Sequence, residues 1–287
     1  MARARRTPPR LVTLASDVGA AYAAQMKAVL ARRLPPGLVV DLVHDLAPHD
    51  VREAGFLVRA MGQGFPAGTV HLVVVDPGVG GRRAPIAVAC RDGSALVGPN
   101  NGVLEPLARA LGRPRAYRLS PERLPTPAAR VGTTFDGRDL FAPAAAAIAL
   151  GTRPAALGPP IALRALARAE PRRGRGVLRG EIVHVDRFGN LVTNLPSGWA
   201  PPPGRSLTVT LGGRRIGRLP VTTHYEALGQ GRAGILGSSF GLLEIAVREG
   251  RAAERFRARV GLAVTLAATP ASRRATSTVN TVPSRRR

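Results

Sequence analysis

Residues 72–83 read LVVVDPGVGGRR, and a carboxylate directly after a buried strand is the feature that decides the fold class. Leu72 to Val75 are branched apolar residues, the pattern of a strand covered on both faces. Asp76 ends this run, and the following Pro77 and glycines prevent a regular element from continuing. Because ligands of open α/β sheets bind beyond the carboxyl ends of strands, Asp76 is predicted to lie at the edge of a ligand crevice. The alternative is that Asp76 merely caps a loop.

The segments around this strand alternate between strand and helix patterns from Leu11 to about Leu150. The runs LVTLASD and LVVDLVHDL are typical of strands, and each is followed by a stretch whose apolar residues recur every three or four positions. Asp50 is placed to cap the second of these helices. The alternation predicts an α/β domain, in which a mostly parallel sheet carries helices on both faces.

The composition changes after residue 150, where Pro, Gly and Arg dominate the next stretch. Beyond it come short alternating segments, and Gly212-Gly213 between two of them indicates a hairpin turn. A smaller antiparallel β-barrel is the economical prediction, with a sandwich as the alternative. The predicted organisation is a disordered basic arm (1–10), the α/β domain (11–150), a linker (151–176), the barrel domain (177–269) and a disordered basic tail (270–287).

The bulk composition limits the partners and the compartment. A formal net charge of +24 suggests nucleic-acid binding, but the arginines are spread from end to end and aromatic residues for base stacking are scarce. We therefore expect weak, salt-sensitive, non-specific binding and no specific nucleic-acid partner. The single Cys90 excludes an internal disulfide framework, and no apolar run reaches the roughly 18 residues of a membrane span. With no signal-peptide core after the basic N-terminus, a cytoplasmic protein is expected.

Polar residues cluster at the ends of the predicted elements. Carboxylates at strand ends of one sheet can converge on a single crevice, where an arginine keeps them ionised. This pattern predicts a small-molecule site with acid, base or electrostatic roles. No dinucleotide, phosphate-loop or nucleophile-elbow motif is present, and the five histidines lack zinc-ligand spacing, so no metal site is predicted. The clusters are Asp17, Asp76–Arg83, Gly98–Gly102, Thr134–Asp139 and Asp186–Asn190.

Taken together, these clusters resemble a known family. The order of FPAGTVHLVVVDPGVGGRR, VGPNNGVL, TFDGRDLFAPAAA, HVDRFGNLVTNL and SSFGLLEIAV is similar to that of the S-adenosyl-L-methionine (SAM) hydroxide adenosyltransferases. These SAM hydrolases are related to the fluorinating and chlorinating enzymes that also act on SAM. The resemblance extends from about Leu11 to Thr269, with both predicted domains in the family's order.

The resemblance implies an activity and an assembly. Water would displace the methionine sulfur at the ribose C5′ of SAM, giving adenosine and L-methionine without a cofactor. The family's architecture is an N-terminal α/β domain and a C-terminal β-barrel. The implied assembly is a homotrimer in which SAM lies between the N-terminal domain of one subunit and the C-terminal domain of its neighbour.

The resemblance also assigns roles to residues of this chain. Asp76, which is a tyrosine in the halogenating relatives, argues for water as the nucleophile. Arg83 would keep Asp76 ionised and fix the orientation of its carboxylate. Asp136 completes the catalytic set. The resemblance implies that Asp17 binds the ribose hydroxyls and that Phe188, Asn190 and Tyr225 contact adenine. Asp186 would bind the methionine ammonium, and Ser239 would bind its carboxylate. Asn100, where the family pattern has Asp, is also an implied substrate-binding residue.

The largest departure from the family pattern lies at Asp136. The hydrolases read TFHGRD where this chain reads TFDGRD, so a carboxylate replaces an imidazole. Two carboxylates near one arginine predict either a raised pKa for one of them or an expelled side chain. A non-catalytic protein that binds SAM or adenosine is therefore the alternative to the hydrolase, and a SAM-dependent halogenase is a further one.

Overall fold

The computed structural model describes residues 8–44, 46–125, 132 and 134–268. The chain divides into two compact units. The first comprises Met1–Glu170 with Ile182–Asp186 and Arg259–Gly261, and the remaining residues form the second. Residues 8–10 are the described part of the predicted basic arm, and the whole predicted tail (270–287) lies outside the described residues.

The first unit is built on a mixed sheet that has seven strands within the described residues. The strands are β1 (Val12–Ser16), β2 (Val39–Val43), β3 (Val70–Val74), β4 (Pro85–Ala89), β5 (Ala95–Pro99), β6 (Arg115–Arg118) and β7 (Pro160–Ile161). Every residue of β1 and β3 is buried, as the run at 72–75 predicts. Strands β2, β1, β3 and β5 are parallel neighbours in that order.

The other edge of this sheet is antiparallel. Strand β4 pairs antiparallel with β5 and with β6, and β7 pairs antiparallel with β6. Only Cys90 to Ser94 join β4 to β5, which is too short for the crossover that a parallel pair needs. The prediction of a mostly parallel sheet is therefore confirmed for the half of the sheet in which Asp17 and Asp76 follow their strands.

Four helices pack with this sheet in the described part of the first unit: α1 (Gly19–Ala31), α2 (Val51–Gly62), α3 (Glu105–Ala110) and α4 (Ala142–Ala149). Asp50 caps α2, accepting hydrogen bonds from the backbone N–H groups of Arg52 (3.0 Å) and Glu53 (2.9 Å). Ala23, Met26 and Leu30 of α1 are buried in the same apolar cluster as Val12, Leu14 and most of α4. Among the described residues, no helix is long and apolar enough to cross a membrane.

The second unit is built on an antiparallel sheet with eight strands in the described part of the chain. The predicted hairpin is confirmed, since Gly212 (φ 54°) and Gly213 (φ 83°) make the turn between β11 (Ser206–Leu211) and β12 (Arg214–Pro220). A bridge from Val221 to Ile235 brings the two ends of the sheet together, so the barrel is nearly closed. The elements are β8 (Arg172–Gly174), β9 (Val177–Val185), β10 (Leu191–Pro196), β11 (Ser206–Leu211), β12 (Arg214–Pro220), β13 (Ala233–Gly237), β14 (Leu242–Val247), β15 (Ala263–Ala268) and helix α5 (Ala252–Phe256).

Candidate active site

A cavity of about 350 Å³ opens in the first unit, where β1 and β3 end. Asp17 follows β1 and Asp76 lies just beyond β3. Because the two strands are parallel neighbours, their carboxyl ends meet at one edge of the sheet. The lining includes three carboxylates, an imidazole and a benzyl ring, from Asp17, Asp76, Asp136, His49 and Phe135.

Arg83 joins two of these carboxylates. Its Nε lies 2.9 Å from Oδ1 and 2.8 Å from Oδ2 of Asp76, and its Nη2 lies 2.5 Å from that Oδ2. The same Nη2 donates a hydrogen bond to Oδ2 of Asp136. All three side chains are nearly buried, with exposed fractions of 9% for Arg83, 6% for Asp76 and 5% for Asp136. Neither carboxylate is expelled from the site.

The electrostatics of this group keep the guanidinium charged. Burial alone lowers the pKa of Arg83, but the hydrogen bonds that Arg83 donates to Asp76 and Asp136 and the Coulombic attraction of these carboxylates outweigh burial and raise the pKa. The guanidinium carbon also lies 5.5 Å from the centre of the Phe141 ring. Asp17 lines the same cavity, so three carboxyl groups and one guanidinium are close together at this edge of the sheet.

A π-helical turn, Gly137–Phe141, begins directly after Asp136. Gly137 packs closely there, since a Cβ at this position would come within 2.8 Å of the Met26 sulfur and would require that side chain to shift. The turn brings Asp136 to Arg83, 53 residues away in sequence, and such turns are frequent at functional sites. Phe135 is held in the wall of the cavity by Tyr22, whose ring packs edge-on at 5.5 Å.

The third carboxylate, Asp17, is oriented by the loop before α2. Its Oδ2 accepts a hydrogen bond of 2.9 Å from the backbone N–H of His49. His49 has a left-handed backbone (φ 66°), which is uncommon for a residue other than glycine. The loop therefore presents both a backbone donor and an imidazole to the cavity.

Asn100 lies outside the lining of this cavity. Its Nδ2 donates to the carbonyl of Ala162 (3.0 Å), and its Oδ1 accepts from the N–H of Arg164 (2.8 Å). Its neighbour Asn101 reaches the strand end instead, donating to the carbonyl of Val75 at 2.8 Å. Asn100 therefore holds the chain segment 162–164 beside the end of β5, within the first unit.

Phe135 and Val79 both line the cavity, although the sequence analysis gave neither a role of its own within its cluster. A signal for each was present. Phe135 stands next to Asp136, and Val79 lies within the turn between Asp76 and Arg83.

Four of the predicted substrate contacts belong to the second unit, and Asp186 belongs to the first. Phe188 is 72% exposed, and Asn190 is buried two residues later. Between them Gly189 (φ 82°) packs so closely on Arg251 that a Cβ would come within 2.8 Å of its side chain. The other two predicted substrate contacts of the second unit are Tyr225 and Ser239. The Tyr225 hydroxyl donates to Glu244, and Ser239 is exposed in a tight turn.

The described residues contain no group of three or more His, Cys, Asp or Glu side chains that could hold a metal ion. The acidic residues of the cavity meet an arginine instead. What the site offers is a set of hydrogen-bond acceptors around a fixed cation, which suits a polar or cationic small molecule and a positioned water.

Comparisons with known proteins identify the family. Models of the N-terminal and C-terminal domains of SAM hydroxide adenosyltransferases match residues 12–158 and 180–265. The chain is 42% identical over 265 residues to an (R)-S-adenosyl-L-methionine hydrolase of Thermus thermophilus, covering 90% of this chain and 99% of the relative. It is 38% identical over 254 residues to a protein of the same name from Salinispora tropica, covering 86% and 94% of the two chains.

A solved structure agrees with these matches. The chain superimposes on the crystal structure of an uncharacterized conserved protein from Thermotoga maritima with a TM-score of 0.82, at 28% identity, covering 90% of this chain and all of that one. Both domain models and the relatives span nearly the whole described chain. The protein therefore belongs to the SAM hydroxide adenosyltransferase family.

Proposed function

We propose that this protein hydrolyses SAM to adenosine and L-methionine. The observation that carries the proposal is Arg83 held between Asp76 and Asp136 in an acidic cavity at the sheet edge. The relatives named (R)-S-adenosyl-L-methionine hydrolase, which match nearly the whole chain, support it.

The reaction makes modest chemical demands, and the site meets them. A water oxygen forms a bond to C5′ of the ribose while the C5′–S bond breaks, and its electron pair goes to the sulfonium sulfur. The sulfur leaves as a neutral thioether, so no general acid is needed. The attacking water loses one proton to a carboxylate and from there to solvent. The main task of the protein is to hold that water in line with the C5′–S bond.

The two carboxylates suit this task. Oδ2 of Asp76 and Oδ2 of Asp136 both contact Nη2 of Arg83, so the two oxygens flank one nitrogen. A water that donates one hydrogen to each carboxylate directs its lone pairs away from both, toward an electrophile in the cavity. We assign Asp76 as the proton acceptor, Asp136 as the second acceptor, and Arg83 as the group that fixes them. Their negative charge also favours the cationic sulfonium.

The remaining contacts distribute the substrate over both units. We assign the ribose hydroxyls to Asp17, whose carboxylate is already oriented by the loop before α2. Asn100 remains a proposed site residue. Its proposed role is to position the segment 162–164, whose backbone its amide binds. The proposed contacts to adenine are Phe188, Asn190 and Tyr225, and those to the methionine part are Asp186 and Ser239.

The proposed assembly is a homotrimer with the site at a subunit interface. We also propose that the enzyme is cytoplasmic and uses no cofactor. The family resemblance carries these parts of the proposal. The high exposure of Phe188 (72%) and Tyr225 (45%) is consistent with surfaces that a neighbouring subunit covers.

Incubating the purified protein with SAM, with and without chloride, and separating the nucleosides by chromatography tests the function. Adenosine and methionine in equal amounts, at a rate independent of chloride, are the expected result, because two carboxylates repel a halide. A chlorinated nucleoside would identify a halogenase instead. Thermal stabilisation by SAM or adenosine without any product would identify the non-catalytic binding protein.

A further inference from the structure

One face of the sheet in the second unit carries arginine and threonine. In antiparallel pairs, residues directly opposite each other share a face. Arg179 lies opposite Arg172 on one side and Thr265 on the other, and the row continues through Thr210 to Arg215. In the next row Thr208 lies opposite Arg218. We call this surface the Arg/Thr face, defined by Arg172, Arg179, Arg215, Arg218, Thr208, Thr210 and Thr265.

The opposite face of the same strands is apolar. Leu178, Val209 and Leu266 alternate with the residues of the Arg/Thr face and are buried. The four arginines of the Arg/Thr face are exposed. Their orientation follows from the strand alternation that builds the core, together with the register shift between Val209 and Thr210 that brings Arg218 to the same face as Arg215. Four cationic groups therefore lie on one continuous surface.

The charges of the Arg/Thr face are not compensated within the described part of the chain. None of its four arginines forms an ion pair with a carboxylate there. Arg172 and Arg179 lie directly opposite each other, an arrangement that destabilises a sheet when both residues carry the same charge. An anionic partner would remove this repulsion.

The spacing suits a chain of phosphates. Neighbouring strands lie about 4.8 Å apart, so the row from Arg172 to Arg215 crosses four strand spacings, or about 19 Å. Threonine hydroxyls between the arginines add neutral donors of the kind that bind phosphate oxygens. The strands β8, β9, β11, β12 and β15 contain no Phe, Tyr or Trp, which favours backbone contacts over base stacking.

We propose that the Arg/Thr face binds the sugar-phosphate backbone of nucleic acids, independently of base sequence. The weak binding that the net charge of +24 predicts would then belong to one face rather than to the whole surface. This property does not depend on the proposed hydrolysis of SAM.

Fluorescence anisotropy with a labelled single-stranded DNA of about 25 nucleotides tests the proposal across a series of salt concentrations. The variant R172Q/R179Q/R215Q/R218Q removes the charges of the Arg/Thr face. The matched control R32Q/R59Q/R115Q/R123Q removes the same charge from exposed arginines of the first unit. Both variants have the same net charge, so a difference in their DNA affinity shows that the location of the removed arginines matters. An unchanged rate of SAM hydrolysis, or an unchanged melting temperature, shows that each variant is folded.

The face variant is expected to bind at least ~10-fold more weakly at low salt, with a salt dependence that is shallower by about 3 in log–log slope. The control is expected to stay within about twofold of wild type. Equal losses in both variants, or none in either, would overturn the proposal. Binding of anionic phosphatidylserine vesicles but not of DNA would also overturn it. If the quadruple variant fails to fold, R179Q alone should reduce the slope by about 0.7, and an unchanged slope would contradict the proposal.

Discussion

Arg83 and its two carboxylates form a buried unit in which each charge depends on the others. We expect Asp76→Asn, Arg83→Ala and Arg83→Lys each to reduce kcat for SAM hydrolysis by at least ~10²-fold, the scale of a lost general base or positioning group. Asparagine keeps the shape of Asp76 but is a far weaker proton acceptor. Lysine keeps the charge of Arg83 but loses the planar fork that contacts both carboxylates. Steady-state rates of adenosine formation measure the effect.

The neighbouring Arg82 provides a control for these variants, because it is exposed and lies one residue from Arg83. Arg82→Ala should keep the wild-type kcat. Melting temperatures separate lost chemistry from lost folding, since removing one partner of a buried ion pair can cost about 3–5 kcal/mol. Near wild-type rates for folded D76N and R83K would show that the reaction does not use this group.

Asp136 gives the second prediction at the residue scale. Asp136→Asn keeps an oxygen that can accept from Arg83 but removes a negative charge and a strong acceptor for the water. We expect kcat to fall about tenfold, which corresponds to roughly 1.4 kcal/mol of transition-state stabilisation. The measurement is kcat and KM over a range of SAM concentrations. An unchanged or faster rate would show that Asp136 has no part in activating the water.

At the scale of elements, β3 contains a histidine that the fold holds neutral. His71 is 1% exposed, hydrogen-bonds Thr13 of β1 through Nδ1 at 2.8 Å, and has a pKa lowered by burial to about 4. Below pH 6.5 the unfolded chain binds a proton that the folded chain does not. Stability therefore falls as the pH decreases from 6.5 toward 4, by about 3 kcal/mol in total.

Urea denaturation of His71→Gln at pH 7.5 and pH 5 tests this origin of acid sensitivity. Wild type should lose about 2 kcal/mol more than the variant between these two pH values. The readout is the change with pH, so a constant cost of the substitution does not matter. His224→Gln, at an exposed position of the second unit, should keep the wild-type change. Equal pH sensitivity of H71Q and wild type would contradict the prediction.

The elements that could be predicted from sequence are those set by local chemistry. The run at 72–75, the Asp50 cap and the turn at Gly212-Gly213 each depend on a few adjacent residues. The same reasoning could not predict the partners of Asn100, because its amide binds backbone groups more than 60 residues away. It also could not predict whether the Asp136 side chain stays beside Arg83 or is expelled, since this contact depends on the packing of a π-helical turn on the sheet.

At the scale of the whole molecule, the predicted substrate contacts are divided between the two units. Asp17 and Asp76 belong to the first, whereas Phe188 and Asn190 belong to the second. In the proposed trimer, a working site takes its first unit from one subunit and its second unit from a neighbour. Light scattering should then give a mass of about 90 kDa, three times the 30.0 kDa of the chain. A mass of one or two chains would contradict the trimer.

Mixed assemblies test whether each site is shared between subunits. Asp76→Asn damages the first unit and Phe188→Ala the second, and each variant alone should be nearly inactive. When both are co-expressed, sites that pair an intact first unit with an intact second unit should form, restoring about a quarter of wild-type activity if subunits mix at random. Co-expression of D76N with R83A should restore nothing, because both changes damage the first unit. If D76N and F188A form mixed trimers that stay as inactive as each variant alone, every site lies within one subunit and the shared arrangement is wrong.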